Sequence, residues 1–386
     1  MTIAADGTAG WCMTCLLALS ALSPSSARAQ RAVDVRPSVI FTELHDSNIF
    51  STPADSESDV ITRLTPTIDV ETRRSGFTVF GQYTFDAEHY VAHPDLTDVT
   101  ARQHGSVGFG YTPTSRLSMT VDADLSTSRI PSELFVETGI ILPRAHASRT
   151  GARSSLTRHL DPRTEGTIEY SFREDQVEGG LSARAHNAAV AAERRLSTRS
   201  SLTFDYRAEQ SVYGPGPASP TSSVLSHALG LGWTRAMTSR TRLTFSAGPR
   251  LTSGQLSPEV AAAVDHRRDG AEFGLNLQRT QITMVGVTRP VQVENVTARL
   301  VWGRARGPRL RTTSALFRTS VETLHTYARS LGVGFEYAIG RTLSVDVAFD
   351  SNSQSGRLHP AVADASIRRH TTLIRLVATP RAGRSR

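Results

Sequence analysis

Apolar and polar residues alternate along this chain in successive stretches that run from Val33 to about Val377, each closed by Gly, Pro, Asp, Ser or Arg-Thr turns. A strand repeats its two faces every second residue. Residues 77 to 87, FTVFGQYTFDA, therefore put Phe77, Val79, Gly81, Tyr83, Phe85 and Ala87 on one side and Thr78, Phe80, Gln82, Thr84 and Asp86 on the other. One face suits lipid and the other suits water. Many such hairpins with alternately short and long connections predict an all-β fold, a transmembrane antiparallel up-and-down β-barrel, better than a soluble sandwich.

The first strands are predicted at Val33 to Glu43, Asp59 to Arg73, from Phe77, at about 99 to 111 and at Arg116 to Leu125. Long polar segments such as HDSNIFSTPADSES and AHPDLTD alternate with tight turns such as Arg74-Ser75-Gly76 and TPTS. The later strands fall at about 150 to 160, 166 to 174, 180 to 194, 201 to 210, 224 to 234, 241 to 252, 259 to 267, 271 to 281, 291 to 302, 310 to 319, 326 to 337, 343 to 350 and 366 to 378. The total is eighteen. Residues 180 to 194 contain AHNAAVAAE, which also reads as a helix; in that case the count falls to sixteen, because both chain ends on one side require an even number. A helix over 343 to 350, LSVDVAFD, would scatter its apolar groups and bury Asp346 or Asp350, whereas a strand separates them cleanly. Long connections near 44 to 58, 91 to 98, 127 to 148, 211 to 223 and 351 to 364 should face the exterior.

Strand number bears on what the barrel can do, because sixteen or eighteen strands leave a lumen wider than side chains can fill. Alternation puts Thr, Ser, Asp, Glu, Arg and Gly inside, and the candidate lumen-facing charges are Arg63, Asp69, Asp86, Glu88, Arg116, Asp122, Asp124, Asp205, Arg207 and Asp346. Residues 30 to 130 carry a balance of −6 and residues 301 to 386 one of +9. Closing the barrel sets these acidic and basic sectors side by side, which predicts a transverse field acting on charged or zwitterionic solutes.

The N-terminus indicates the compartment. Residues 11 to 22, WCMTCLLALSAL, form an apolar core, and SPSSARA ends in an A-x-A site at Ala27 and Ala29, so residues 1–29 read as a signal peptide and 30–386 as one barrel domain. The segment before that core has Asp6 and no basic residue, unlike an ordinary leader. Cys12 and Cys15, the two cysteines of the chain, lie inside the leader, so their C-x-x-C spacing carries no redox reading and the mature chain has no thiol to mispair in the periplasm. No run of eighteen apolar residues occurs, which excludes transmembrane helices in the mature part.

The net charge is +7 and every basic residue of the Lys/Arg class is Arg. These arginines are scattered through strands and turns instead of gathering on a helix face beside aromatics, so nucleic-acid binding is excluded. His45-Asp46, His159 with Asp161, Asp265-His266 and His325 are the candidates for hydrolysis, and none lies in a G-x-S-x-G or similar nucleophile setting. Acidic loop residues Asp46, Asn48, Asp55, Glu57 and Asp59 offer oxygen ligands for Ca²⁺ or for ions bridging lipopolysaccharide, but lack the spacing and Gly of an EF-hand.

Asp46-Ser47-Asn48-Ile49-Phe50, Asp59-Val60-Ile61-Thr62-Arg63-Leu64-Thr65-Pro66 and Phe85-Asp86-Ala87-Glu88-His89-Tyr90 with His93-Pro94-Asp95-Leu96 resemble the opening of an outer-membrane β-barrel porin family often associated with exopolysaccharide or exosortase systems. The resemblance covers roughly residues 38 to 125. It implies an outer-membrane barrel serving polysaccharide export, and supplies no catalytic residue; passage of small polar solutes is the other expectation for the lumen. One departure is the ending LVATPRAGRSR, which lacks the terminal aromatic of barrels handled by the assembly machinery.

The expectation is therefore a porin or channel of the Gram-negative outer membrane, exported through the periplasm, without cofactor, metal or catalysis. Its expected partners are outer-membrane lipid and lipopolysaccharide, the barrel assembly machinery and polysaccharide export proteins. A structural or adhesive surface barrel using loops such as 127 to 148 is the rival reading, and a barrel hydrolase a distant one.

Overall fold

The computed structural model describes residues 33–179, 181–214, 221–304, 307–321, 324–340, 342–356 and 365–379, so the leader assigned to residues 1–29 lies outside the described residues. Eighteen strands follow one another. The first six are β1 (Val33–Asp46), β2 (Asp59–Arg74), β3 (Phe77–Tyr90), β4 (Asp98–Thr114), β5 (Leu117–Ser128) and β6 (Ala147–Asp161). Next come β7 (Thr164–Val177), β8 (Leu181–Ser197), β9 (Ser200–Gly214), β10 (Ser222–Ala236), β11 (Thr241–Thr252) and β12 (Gln255–Arg268). The last six are β13 (Ala271–Ile282), β14 (Val291–Gly303), β15 (Arg309–Val321), β16 (Leu324–Ala338), β17 (Leu343–Gly356) and β18 (Ala365–Ala378).

Every strand pairs antiparallel with its sequence neighbours, and β1 also pairs with β18, as in Leu44 opposite Leu373, which closes the sheet into an 18-stranded barrel. The eighteen strands expected from the alternation are all present. The Ala-rich segment is β8 and not a helix: Ala185, Asn187 and Ala189 continue the inner row of Arg173, Ser171 and Glu169 on β7, while His186 and Ala188 continue the outer row of Phe172 and Tyr170. Backbone pairing on both sides outweighs the helix preference of alanine.

The outward rows are apolar through the middle of the wall. Phe204, Leu231, Leu331 and Ile374 are each about half exposed, at 53%, 54%, 46% and 55%, and belong to a continuous belt that water would not tolerate at this size. Aromatics such as Phe77, Tyr111, Trp233, Trp302 and Tyr337 gather toward the short-turn end, where ring edges meet the membrane interface. A closed barrel with this belt is an outer-membrane protein. Both barrel ends of the chain lie on one side with connections of at most five residues, which is the periplasmic side; the other side carries the long connections 47–58, 91–97, 129–146 and 283–290 together with the tight turns that follow β7 and β11.

Two expectations are corrected here. Strands run further than the apolar alternation: β17 continues through Ser351–Gly356, a polar stretch held by pairing with β16 and β18 above the apolar belt. The long segment between β5 and β6, expected to project outward from 127 to 148, instead turns into the barrel.

Candidate functional site

The inward segment spans residues 129–146 and contains two short 3-10 turns, Pro131–Glu133 and Val136–Thr138. It carries Ile130, Leu134, Phe135, Ile140 and Ile141, all buried. Leaving β5, it packs Phe135 with Ala147, Ala183, Tyr213 and Val285, and then reaches the opposite wall. There the Thr319 hydroxyl donates to the Thr138 carbonyl at 3.0 Å, the Ile141 amide donates to Gln354 Oε1 at 2.6 Å, and Ile140 packs with Met284, Val291 and Val293. The return leg places the Arg144 guanidinium on the Tyr90 hydroxyl and the Arg144 amide on the Phe50 carbonyl. The segment thus touches wall strands from β3 round to β17 and crosses the lumen.

Passage over β15 depends on Gly139. Its φ is +65°, in the left-handed region, and a Cβ there would fall on the Phe317 ring.

Around this crossing the inner wall carries ladders of paired charge. On the β2–β5 side, Arg63 donates to Glu88 at 2.8 Å and Arg102 lies 2.7 Å from Asp86, whose other oxygen receives the Thr65 hydroxyl. On the β6–β12 side, Arg149 bridges Asp175 and the loop's own Glu137 at 2.6 and 3.0 Å. Arg250, almost fully buried, donates to both Glu209 and Glu259, at 2.7 and 2.8 Å, and Arg207 shares Glu259. A cavity of about 370 Å³ opens along this wall between Asp124, Arg173, Arg207 and Arg250. Across the seam where β18 meets β1, Arg369 grips Asp46 at 2.6 Å. Such pairs place many charges on the inner wall while the local net charge stays low.

Of the candidate lumen charges, Arg63, Asp69, Asp86, Glu88, Asp122, Asp124, Asp205, Arg207 and Asp346 lie on the inner rows. Asp69 accepts from Gln82 at 2.7 Å, and Asp346 faces Arg311 at 2.7 Å. Asp122, Asp124 and Asp205 stand opposite Gly108, Gly151 and Gly230 on the neighbouring strand, where an added Cβ would press on the carboxylate. Small partners let these carboxylates lie along the wall. Arg116 does not join them: it sits exposed in the turn between β4 and β5, because the strand begins one residue later than the alternation suggested.

The other candidates separate for simple reasons. Adjacent residues of a strand face opposite sides, so His45 and His266 point outward while Asp46 and Asp265 point inward. His159 lies 3.1 Å from Glu165 at the periplasmic end, and the Asp161 carboxylate instead caps the Arg163 amide. The acidic loop turns its oxygens on the chain itself. Asp46 holds Arg369, and Asp59 accepts the Ala92 and His93 amides and the His93 ring, whose other nitrogen lies 2.8 Å from Glu57. Those two contacts raise the His93 pKa from its ordinary value, the Glu57 bond most and Asp59 next.

The loop that crosses the lumen was the feature missed from sequence, and its signal was present. Six aliphatic or aromatic residues within 130–141 are too many for a solvent-facing connection. The arginines at 149, 173 and 250 and the acids at 209 and 259 follow from alternation parity once each strand's register is known.

No family model matches the chain, and no curated protein matches it. Among solved structures it is similar to the siderophore receptor PirA from Acinetobacter baumannii, at 7% identity and TM-score 0.46 over 91% of this chain and 81% of that one. A mutant of the ferric enterobactin receptor from Pseudomonas aeruginosa gives 7% identity and TM-score 0.48 over 91% and 82%. The copper transporter OprC gives 8% and 0.44 over 92% and 82%. The barrel assignment rests on the strand register and the apolar belt, independently of these likenesses.

Proposed function

We propose that this protein is a channel that passes small polar and charged solutes through its lumen, with the 129–146 segment setting the constriction. The observation that carries this reading is the inner wall: charged side chains on facing strands line a water-compatible path up to that segment. The pathway needs no catalytic group, and transport rather than hydrolysis is the activity proposed.

A sealed structural or adhesive barrel is the second reading, favoured by the apolar packing of Phe135 and Ile140 that holds the segment in place. Planar-bilayer recording of the wild type and of a variant with residues 132–143 replaced by a short Gly-Ser link separates the two. A channel gives a steady wild-type current that rises severalfold in the variant. A wild type that passes no steady current while the variant conducts establishes the sealed barrel.

We also propose, from the family resemblance, that a polysaccharide chain is the larger solute of this channel. That passage requires the 129–146 segment to swing out of the lumen. Oligosaccharides added to the periplasmic side should interrupt the current of the shortened variant; no interruption at any length removes polysaccharide from the solutes.

A further inference from the structure

The outer wall holds a cavity that the solute pathway does not use. It is a groove of about 930 Å³ on the extracellular half of β12–β18. Arg279, Glu294, Arg318, Tyr327, Arg329 and Arg368 line it from the outward rows. Register makes them contiguous. Arg279 stands opposite Glu294, Glu294 opposite Arg318 and Arg318 opposite Tyr327, while Arg329 and Arg368 flank Ser353 from either side. Among the described residues lining the groove, four guanidinium groups stand against one carboxylate, Glu294, which pairs with two of them, at 3.4 Å from Arg279 and 3.6 Å from Arg318. Among the described residues, Arg329 donates to the Ser353 hydroxyl, at 2.7 Å.

Position gives this excess of charge its meaning. All four arginines lie within five residues of the extracellular ends of their strands, at the level of the outer-leaflet headgroups. Leu277, Val296 and Leu316 continue the same groove toward the bilayer centre. Elsewhere on the rim the balance is different: Arg184 on β8 is matched by Glu174 at 2.8 Å. A cationic upper end above an apolar lower end fits a molecule with anionic phosphate on top and acyl chains beneath. Planar guanidinium forks suit phosphate oxygens, and Tyr327 stands where interfacial rings anchor headgroups.

We infer that this groove binds a phosphorylated lipid of the outer leaflet, of the lipid A type. The phosphates sit among Arg279, Arg318, Arg329 and Arg368, and the chains lie along Leu277, Val296 and Leu316. The site is independent of whether the lumen conducts.

Native mass spectrometry of the detergent-purified full chain tests it, with bis-phosphorylated lipid A, dephosphorylated lipid A and inorganic phosphate as probes. Wild type should hold bis-phosphorylated lipid A about tenfold more tightly than the dephosphorylated form. The triple variant R279Q/R318Q/R329Q should lose a similar factor, while R184Q should bind as wild type. Inorganic phosphate in millimolar excess should leave the lipid adduct in place. Equal wild-type binding of the two lipid forms overturns the inference without any variant, as does full displacement by inorganic phosphate or undiminished binding by the folded triple variant.

Discussion

The Arg144 guanidinium donates to the Tyr90 hydroxyl at 2.8 Å, and that hydroxyl donates in turn to Glu88, also at 2.8 Å. Glu88 receives Arg63 from β2, so one phenol ties the returning leg of the inward segment to the charge ladder of the wall. The Arg144 guanidinium carbon also lies 5.0 Å from the Tyr90 ring centre. Arg144→Ala removes both contacts and leaves the Tyr90 to Glu88 bond intact. A hydrogen bond to a charged group contributes about 1.5–3 kcal/mol, so the segment should loosen without the barrel unfolding. Single-channel recording should show a larger and noisier conductance. A trace identical to wild type counts against this segment as the constriction.

Gly139 supplies a second handle on the same segment. Valine there must adopt a left-handed backbone, at a cost of about 1–3 kcal/mol, and must also displace Phe317. Gly139→Val should therefore detach the segment from β15 and expose it to proteinase K, giving a cut within 130–144 that wild type resists. The heat-dependent gel shift of the barrel should stay where it is, since no strand pairing involves this residue.

Strand alternation made nearly all of the barrel legible in the sequence, since one face meets lipid and the other water over the whole height of the bilayer. Alternation stops informing where both faces meet water, which is why Ser351–Gly356 of β17 was read as loop although its backbone is paired. The crossing segment was harder because its partners are remote in sequence. Thr138 meets Thr319 and Ile141 meets Gln354, contacts that exist only once the cylinder has closed. Arg116 illustrates the reverse error: a correct parity was extended one residue past the end of the strand, into a turn where parity has no meaning.

Arg250 lies between Glu209 and Glu259 with almost no exposure. Removing a buried cation leaves two carboxylates facing each other, which costs about 3–5 kcal/mol in pairs of this kind. Arg250→Met should lower the temperature at which the barrel loses its compact gel mobility, and Arg250→Met combined with Glu259→Gln should recover part of the loss. If the double variant melts below the single one, repulsion between the acids is not the cause.

The acidic and basic sectors now have addresses. Asp69, Asp86 and Asp122 lie inward on β2, β3 and β5, while Arg311 and Arg375 lie inward on β15 and β18; Arg318, Arg329 and Arg368 face lipid and drop out of the lumen field. Reversing Asp69, Asp86 and Asp122 together to Arg should move reversal potentials toward anion preference in a salt gradient. Asp86 also pairs with Arg102, so Asp69→Arg with Asp122→Arg is the milder control, and it should shift the potential in the same direction. Unchanged selectivity in both variants discards the transverse field.

His93 joins the first two long connections, with Nε2 at 2.8 Å from Glu57 and Nδ1 at 2.8 Å from Asp59, and its ring edge meets Phe50. Hydrogen bonding to Glu57 first and Asp59 second raises its folded-state pKa above the ordinary value. A raised pKa means that the charged form is the one held by the fold. The clamp is then complete below the ordinary histidine pKa of about 6.5 and is lost as pH rises through the higher folded value. Hydrogen exchange in residues 47–58 should accordingly speed up on going from mildly acidic to alkaline buffer, by more than base catalysis alone gives in an unstructured peptide of the same sequence. His93→Gln should exchange fast throughout and lose that extra pH dependence. Exchange that slows with rising pH would reverse the sign and show that neutral His93 is the form that holds the two connections together.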